Sequence, residues 1–508
     1  MSFAAPPILT CAEALAFEGK LFGGDEALEW PAMQAAGRAV AAGVLADFQE
    51  IGGFPADGHI LVLAGKGHNA GDALLAARVL LEQFPAACAE VIFAFGDRGL
   101  RPLTARAWRE LTHFAGGRVS VANARRLPTY DLGLGGVFGF QFRPPLDPGT
   151  ATLLAWANAL PVRLRAAVDL PSGLGEPDAF RADFTYATGS VKTPLLTLPN
   201  AGRIRYLDLG FFPADPGSAT RVTVTDRVLT DGVLAPLRRL RAPGGDKRTY
   251  GHLLVVGGSR SYPGAVLMSV LAALRGGTGL VSAFVPESLA AAYAARAPEA
   301  MWVGWPETAD GGLALEGLHL LRAQLERATA LVIGPGLGRE PEPLALVTEI
   351  LKTTSLPVLL DADALQPAVV RTGKSPRVLT PHAGEFQRIS GGAALPAFAA
   401  DTGATVVLKG PITRISDGRT TWHSFFGGPV LARGGSGDVL AGLIGGQLAQ
   451  TPEDLPGAAA RGVVWHGRAA DLLARAHGQV AVTTTQLLDY LPEVLRETAR
   501  PNRPPDRP

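Results

Sequence analysis

The chain is poor in cysteine and lysine and carries almost no net charge. Its two cysteines, Cys11 and Cys88, sit in Ala-rich apolar stretches without a CxxC or a His-rich partner spacing. Two such isolated thiols exclude a disulfide scaffold and a structural zinc site. Lys+Arg is 47 and Asp+Glu 46, for a formal net charge of +1. That balance excludes a broad polycationic face for nucleic acid, and no acidic tail is visible. The first twenty residues lack a basic segment followed by a long apolar core, so no signal peptide is expected. The most apolar window, 265–284, is interrupted by Arg275 and by glycines and is too broken to span a bilayer. The expectation is a cytoplasmic protein with neither membrane nor nucleic acid as partner. Hydrophobic residues, by contrast, make up 47% of 508 residues, enough for two sizeable cores. Gly (62) and Pro (40) punctuate the whole chain without a collagen-like period.

Short apolar runs alternate with amphipathic stretches. HILVLAG (59–65) reads as a strand running into glycines, and DALLAARVLLEQF (72–84) as a helix. EVIFAFG (90–96) and RAAVDLPSG (165–173) read as further strands. The pattern breaks at FFPADPGS (211–218) and starts afresh. Beyond it, strands are expected at 252–259, 280–286, 330–336, 357–363, 377–381 and 405–410, and helices at 264–277 and 438–450. Strands alternating with helices imply parallel sheets covered on both faces. The expected fold is α/β in two domains, 1–217 and 218–495, followed by a Pro- and Arg-rich disordered tail at 496–508.

GGSGDVLAG (434–442) is the most informative segment. Glycines run directly into an apolar helix whose free N–H groups and dipole would cradle phosphate. Asp438 in the first turn either caps that helix or accepts a proton from a hydroxyl attacking a phosphoryl group. No Lys-Ser/Thr pair follows the glycines, so this is not a Walker loop. LKGPIT (408–413) brings Lys409, one of seven lysines, to a strand end, where ligands bind in open α/β sheets. LTPHAGEF (379–386) brings His382 and Glu385. DADAL (361–365) places two acids that either cap a helix or hold Mg2+ through water.

Together these strings resemble the NAD(P)H-hydrate dehydratase family of the ribokinase-like superfamily. GGSRSYPGA (257–265), ALRGGTGLV (273–281), GPGLGR (334–339), LDADAL (360–365), LTPHAGEF, LKG, GGSGDVLAGLI (434–444) and GVVWHGRAADLLA (462–474) occur in the family's order across 220–495. The resemblance implies a ribokinase-like αβα domain with Asp438 as catalytic base. Gly434, Gly435, Ser436 and Gly437 would hold the phosphate chain of ADP or ATP. Lys409, Gly410, Pro411, Ile412 and Thr413 would contact the nucleotide, which brings Mg2+. Ala265, Gly336 and His382 would line the pocket for the hydrated nicotinamide, in NADHX or NADPHX. Arg433 departs from the small or polar residues commoner there and could still pair with phosphate.

LAGKGHNAGDALLAAR (63–78), VDLPSGL (168–174), VFGFQFRPP (137–145) and MQAAGRAVA (33–41) resemble the NAD(P)H-hydrate epimerase domain, across 10–215. This implies a Rossmann-like three-layer αβα domain. Asn69, Asp72 and Asp169 would bind substrate, with Asp169 as acid/base. Asn69 and Ser172 would hold K+. Two departures bear on that activity. Ala70 stands where the family has a glycine, and Gly135 where it has the aspartate that helps bind K+. The domain either still exchanges the R and S hydrates or remains as a binding or packing module. The family also implies assembly into homo-oligomers. The rival to a metabolite-repair enzyme is a ribokinase-like kinase for a small alcohol with a non-catalytic nucleotide-binding N-terminal domain.

Overall fold

The computed structural model describes residues 5–121, 129–212 and 224–497. The chain forms two compact units. The bulk of the first is Pro6–Val224, and of the second Thr225–Leu473 together with the chain from Gln479. The expected boundary at 217/218 lies outside the described residues, as does the expected tail 496–508 apart from Arg496, which ends the last helix, and Glu497.

In the first unit, β1 (Ile8–Leu9) leads into helices α1 (Cys11–Phe22) and α2 (Glu26–Phe48). There follow β2 (His59–Ala64), α3 (His68–Gln83), β3 (Cys88–Phe93), α4 (Pro102–Ala115), β4 (Val119–Val121), β5 (Tyr130–Gly136) and α5 (Pro148–Ala159). β6 (Val162–Val168), β7 (Phe184–Thr188), β8 (Val191–Lys192) and β9 (Arg203–Leu207) complete it. The main sheet runs β4-β3-β2-β5-β6-β7-β9, parallel throughout. β2 shows why it is covered on both faces. Ile60, Val62 and Ala64 join one buried cluster while Leu61 and Leu63 join another, the period-2 alternation of a strand between two helical layers. This is the expected Rossmann-like three-layer αβα arrangement.

The second unit opens with β10 (Asp226–Val228), β11 (His252–Val256), α6 (Pro263–Arg275), β12 (Leu280–Pro286), α7 (Glu287–Arg296) and β13 (Met301–Trp305). Next come α8 (Leu318–Leu325), β14 (Ala330–Ile333), α9 (Pro341–Thr353), β15 (Val358–Leu360), β16 (Arg377–Leu379), α10 (Ala383–Ser390) and α11 (Leu395–Thr402). β17 (Thr405–Leu408), β18 (Thr413–Ser416), β19 (Thr421–Ser424), α12 (Ser436–Gln450), α13 (Leu455–His477) and α14 (Leu487–Arg496) follow. The sheet order is β10-β19-β18-β17-β16-β15-β14-β11-β12-β13. It is parallel from β13 to β17 and turns antiparallel through β18 and β19. Alternation recurs at β11. Leu253 and Val255 face the α6/α12 side, while Leu254 and Val256 face the α9 side. α9 is amphipathic, burying Leu346, Val347, Ile350 and Leu351 at helical spacing. The expected αβα layering therefore holds here too.

Strand order positions the sites. In the first unit the chain reverses its direction of sheet growth between β2 and β5, in the second between β11 and β14. Crevices at such switch points, beyond the carboxyl ends of the strands, are where open α/β sheets bind ligands. Two non-glycine residues have positive φ among the described residues: Asp169, just after β6, and Ala362, just after β15. Such backbone costs about 1–3 kcal/mol per residue and clusters at functional sites.

Candidate functional site

At the second unit's switch point the loops after β11 and β14 nearly touch. Gly336 has φ +67, and a methyl group there would meet the Tyr262 carbonyl oxygen at 2.5 Å and the Ala265 Cβ at 3.1 Å. Glycine is thus required by both conformation and space, and Ala265 and Gly336 form one surface. Ala265 lies in the first turn of α6, the helix that positions the rest. Met268 of α6 packs against Gly435, and Ser269 Oγ donates to the Asp438 carbonyl at 2.8 Å.

α12 begins at Ser436 behind Gly435, whose φ is +88, and no side chain caps it. Asp438 is therefore not a cap, and the helix N-terminus stays open to an anion. Beside it lies an ion pair: Lys409 Nζ is 2.9 Å from Asp361 Oδ1. A methyl group at Gly437 would sit 3.3 Å from that Nζ and 3.9 Å from Asp361 Oδ2. Asp361 is 1% exposed and accepts a second hydrogen bond from Thr380 Oγ1 at 2.8 Å. Burial, then the Asp361 carboxylate, push the Asp438 carboxyl up to about 7 against the pull of Lys409. Burial works against the Lys409 ammonium, but Asp361, Glu385 and Asp438 hold its pKa above the ordinary value. A carboxyl poised near neutrality beside a fixed cation and an open helix end can take a proton while phosphoryl oxygens are stabilised.

The remaining sequence-derived positions have these places. Lys409 directly follows β17, and Gly410, Pro411 and Ile412 form the turn into β18, which starts at Thr413. His382 bridges to Lys409 along the backbone. Its Nδ1 accepts from the Gly384 and Glu385 amides at 3.0 and 3.3 Å, capping α10, and Glu385 returns a bond to the His382 amide at 2.7 Å. The ring is thus oriented by a capping box on the same strand-end surface as Lys409. Arg433 donates to the carbonyls of Gln479, Val480 and Val482, so its guanidinium is engaged by the chain itself. Asp363 pairs with Arg339 and Asp361 with Lys409, so the two acids do not converge on one cation. Among the described residues no cluster of three His, Cys, Asp or Glu could hold a metal ion. The arrangement fits magnesium that arrives on a nucleotide's phosphates, not one caged by protein.

The first unit carries a cavity of about 530 Å³ at its own switch point, lined in part by Glu18, Asn69, Asp72, Phe140, Asp169 and Lys192. Lys192 is 1% exposed, with Nζ 2.5 Å from Asp169 Oδ1 and 3.1 Å from the Ser190 carbonyl. Burial, then Asp169 and Glu18, raise the Asp72 pKa well above the carboxylate range, against Lys192. Asp72 is therefore a buried acid that holds its proton more tightly than usual, and Asp169 is the partner of a cation. Ala70 is fully buried in the core between α3 and its neighbours, so its methyl does not narrow the cavity.

The potassium expectation meets a different local structure. Asn69 Nδ2 donates to the Phe138 carbonyl at 2.7 Å, and its Oδ1 is buried without a partner. Ser172 Oγ accepts from the amides of Val137 and Phe138 at 3.1 and 3.0 Å. A side chain at position 135 would collide with the Phe180 ring, 2.8 Å from a methyl group there. The charged ligand is absent, its space is filled by an aromatic ring, and the serine oxygen is already used. These residues do not fit a potassium ion.

Comparisons with known proteins show the family. The family described as NAD(P)H-hydrate dehydratase matches residues 253–493, and the one described as YjeF-related protein N-terminus matches 31–193. A bifunctional NAD(P)H-hydrate repair enzyme Nnr of Gloeobacter violaceus is 38% identical over 91% of this chain and 92% of its own length. The chain belongs to the bifunctional NAD(P)H-hydrate repair family. Another member, from Moorella thermoacetica, is 35% identical over 91% of this chain and 92% of its own. The solved ADP/ATP-dependent NAD(P)H-hydrate dehydratase of Bacillus subtilis, co-crystallised with ATP/Mg2+, is 31% identical, with a TM-score of 0.47 over 53% of this chain and 97% of that one. Family membership does not favour the small-alcohol kinase reading. No described helix is long and apolar enough to cross a membrane.

Sequence reasoning missed Glu18 and Phe180, and offered Asp361 only as a helix cap or a holder of Mg2+. Glu18 reaches the first cavity from α1, Phe180 fills the space at Gly135, and Asp361 pins Lys409. Only the last carried a signal, the paired acids of DADAL.

Proposed function

We propose that this chain repairs hydrated NADH and NADPH. In this reading the second unit dehydrates the S-hydrate at the expense of ADP or ATP, and the first exchanges the R and S hydrates. The observation that carries the dehydratase reading is Asp438: an acid poised near neutrality in the uncapped first turn of α12, beside the Lys409–Asp361 pair.

The hydrate carries a hydroxyl on C6, next to the ring nitrogen, and hydroxide is a poor leaving group. Asp438 takes the hydroxyl proton as that oxygen attacks the terminal phosphoryl group. The bond to the departing nucleotide breaks, and its electron pair stays on the leaving phosphate. The new phosphate ester then leaves C6, driven by the lone pair of the ring nitrogen, and loss of the C5 proton restores the double bond. The open amides at the start of α12, with Lys409, take up the charge on the transferred oxygens; one such donor is worth about 3–4 kcal/mol of barrier. Gly434–Gly437 and Lys409–Thr413 hold the nucleotide, and Ala265, Gly336 and His382 the nicotinamide end. Magnesium, when bound with the nucleotide, neutralises phosphate charge.

In the first unit Asp169, fixed by Lys192, is the acid/base, and Lys66, Arg101 and Arg143 line the cavity where a dinucleotide's phosphates need positive charge. The described cysteines are free thiols, which fits a reducing, cytoplasmic compartment. The test is Asp438→Asn with S-hydrate and ADP or ATP. Loss of NADH recovery in a folded variant supports the assignment; recovery within about threefold of the parent refutes it.

A further inference from the structure

One acid in the first cavity has no role so far. Glu18 lines the cavity with Asp72, Asp169 and Lys192, and backbone structure puts it there. β1 pairs in parallel with β8, setting Leu9 opposite Lys192. The capping box of Thr10 and Glu13 starts α1 directly afterwards. Cys11, Ala14 and Glu18 follow at helical spacing on one face of α1. Ala14 on that face is fully buried, and both Cys11 and Glu18 feel the charges of Asp169 and Lys192. Lys192 is committed to Asp169 and the Ser190 carbonyl. Glu18 has no hydrogen-bond partner among the described residues, so its carboxyl is available to the cavity.

We propose that Glu18 is the proton donor for R/S exchange in the first unit, working with the Asp169–Lys192 pair. This rests on the reading that the first unit is an epimerase. Exchange at C6 requires breaking and remaking one C–O bond. Glu18 gives its proton to the C6 hydroxyl. The C6–O bond breaks with its electron pair going to oxygen, and water departs. The ring nitrogen's lone pair forms the N1=C6 double bond. A water then adds to the other face of C6, returning that electron pair to nitrogen, and Asp169 accepts its proton. One turnover moves one proton from Glu18 to Asp169, and exchange with solvent resets both. Nothing is oxidised or reduced, and no nucleotide is consumed. Burial pushes the Glu18 carboxyl up to about 7, with Lys192 opposing and Asp169 and Glu29 adding; Asp72, which lines the same cavity, also faces it. Glu18 thus keeps a transferable proton near neutral pH.

The experiment follows R-to-S exchange of hydrated NADH by NMR, with the full chain and no nucleotide, as a function of pH. Glu18→Gln is expected to lower kcat about 100-fold with KM within about twofold, and to remove the fall in rate above pH about 7. Glu18→Asp is expected to restore part of the rate, which a merely structural role would not require. Glu18→Gln within about threefold of the parent with its pH profile intact overturns the proposal. So does loss of exchange in Asp72→Asn while Glu18→Gln keeps it. A parent chain no faster than buffer overturns the epimerase reading itself, and the proposal with it.

Discussion

Dehydration should lose rate as pH falls through neutrality, and Asp361 sets where. Burial and then Asp361 push Asp438 up to about 7. Only the ionised carboxylate can accept the hydroxyl proton, so kcat/KM holds above that pH and falls about tenfold per unit below it. At pH 5.5, about 1.5 units under the midpoint, about one molecule in thirty is active and the rate is down about thirtyfold. Asp361→Asn removes the like charge and frees Lys409 Nζ from its 2.9 Å ion pair. Both changes favour ionised Asp438, so the acid limb moves to lower pH by on the order of one unit. The plateau falls as well, because Lys409 is no longer held. The assay is the initial rate of NADH recovery from S-hydrate with saturating ADP across the pH range. An acid limb that is absent in the parent, or that stays in place in Asp361→Asn, refutes the reasoning.

Asp438→Asn should gain stability over the parent as pH rises. A carboxyl raised from 3.8 to about 7 is favourable when neutral, and that contribution is lost as pH climbs through 7. Discounted for the exposed part of the group, the gap between pH 5 and pH 8 is about 2 kcal/mol; a gap that closes with pH in denaturant titrations contradicts the burial of Asp438. Epimerisation should be indifferent to replacing K+ by Na+, because Phe180 fills the space a ligand at position 135 would need; a rate that depends on K+ would show that a cation binds nonetheless. Lys192→Met leaves Asp169 buried without its cation, and should cost about 3–5 kcal/mol in thermal or denaturant unfolding of the first unit and abolish exchange. An unchanged unfolding transition would show that the pair carries little.

The layers of this fold are legible where strands are continuous apolar runs. HLLVV (252–256) and HILVLA (59–64) name themselves, because a strand buried on both faces needs no polar residue. The antiparallel strands TRIS and TWHS, and the strands FTYAT and RIRYL, are not legible in this way. Their mixed composition takes strand form from pairing with neighbours already in the sheet. At the site, the glycine-to-helix junction at 434–442 announces an anion cradle by local geometry alone. The sequence leaves open whether Asp438 caps the helix; the structure puts Gly435 at the capping position. The partners that set its chemistry lie far off in sequence: Asp361 meets Lys409 across 48 residues. Likewise, Gly135 gives no hint that Phe180 occupies its missing side chain. His382 reads as a pocket residue, and the structure adds a helix-capping role that depends on which way the ring turns.

The most direct test of the whole reading is the yield of NADH from a mixture of R and S hydrates given ADP or ATP. Full recovery, faster than the hydrates exchange in buffer and without a phosphorylated alcohol left behind, is the expected result. Recovery that stops at the S fraction, or a phosphorylated product that accumulates in place of NADH, would contradict it.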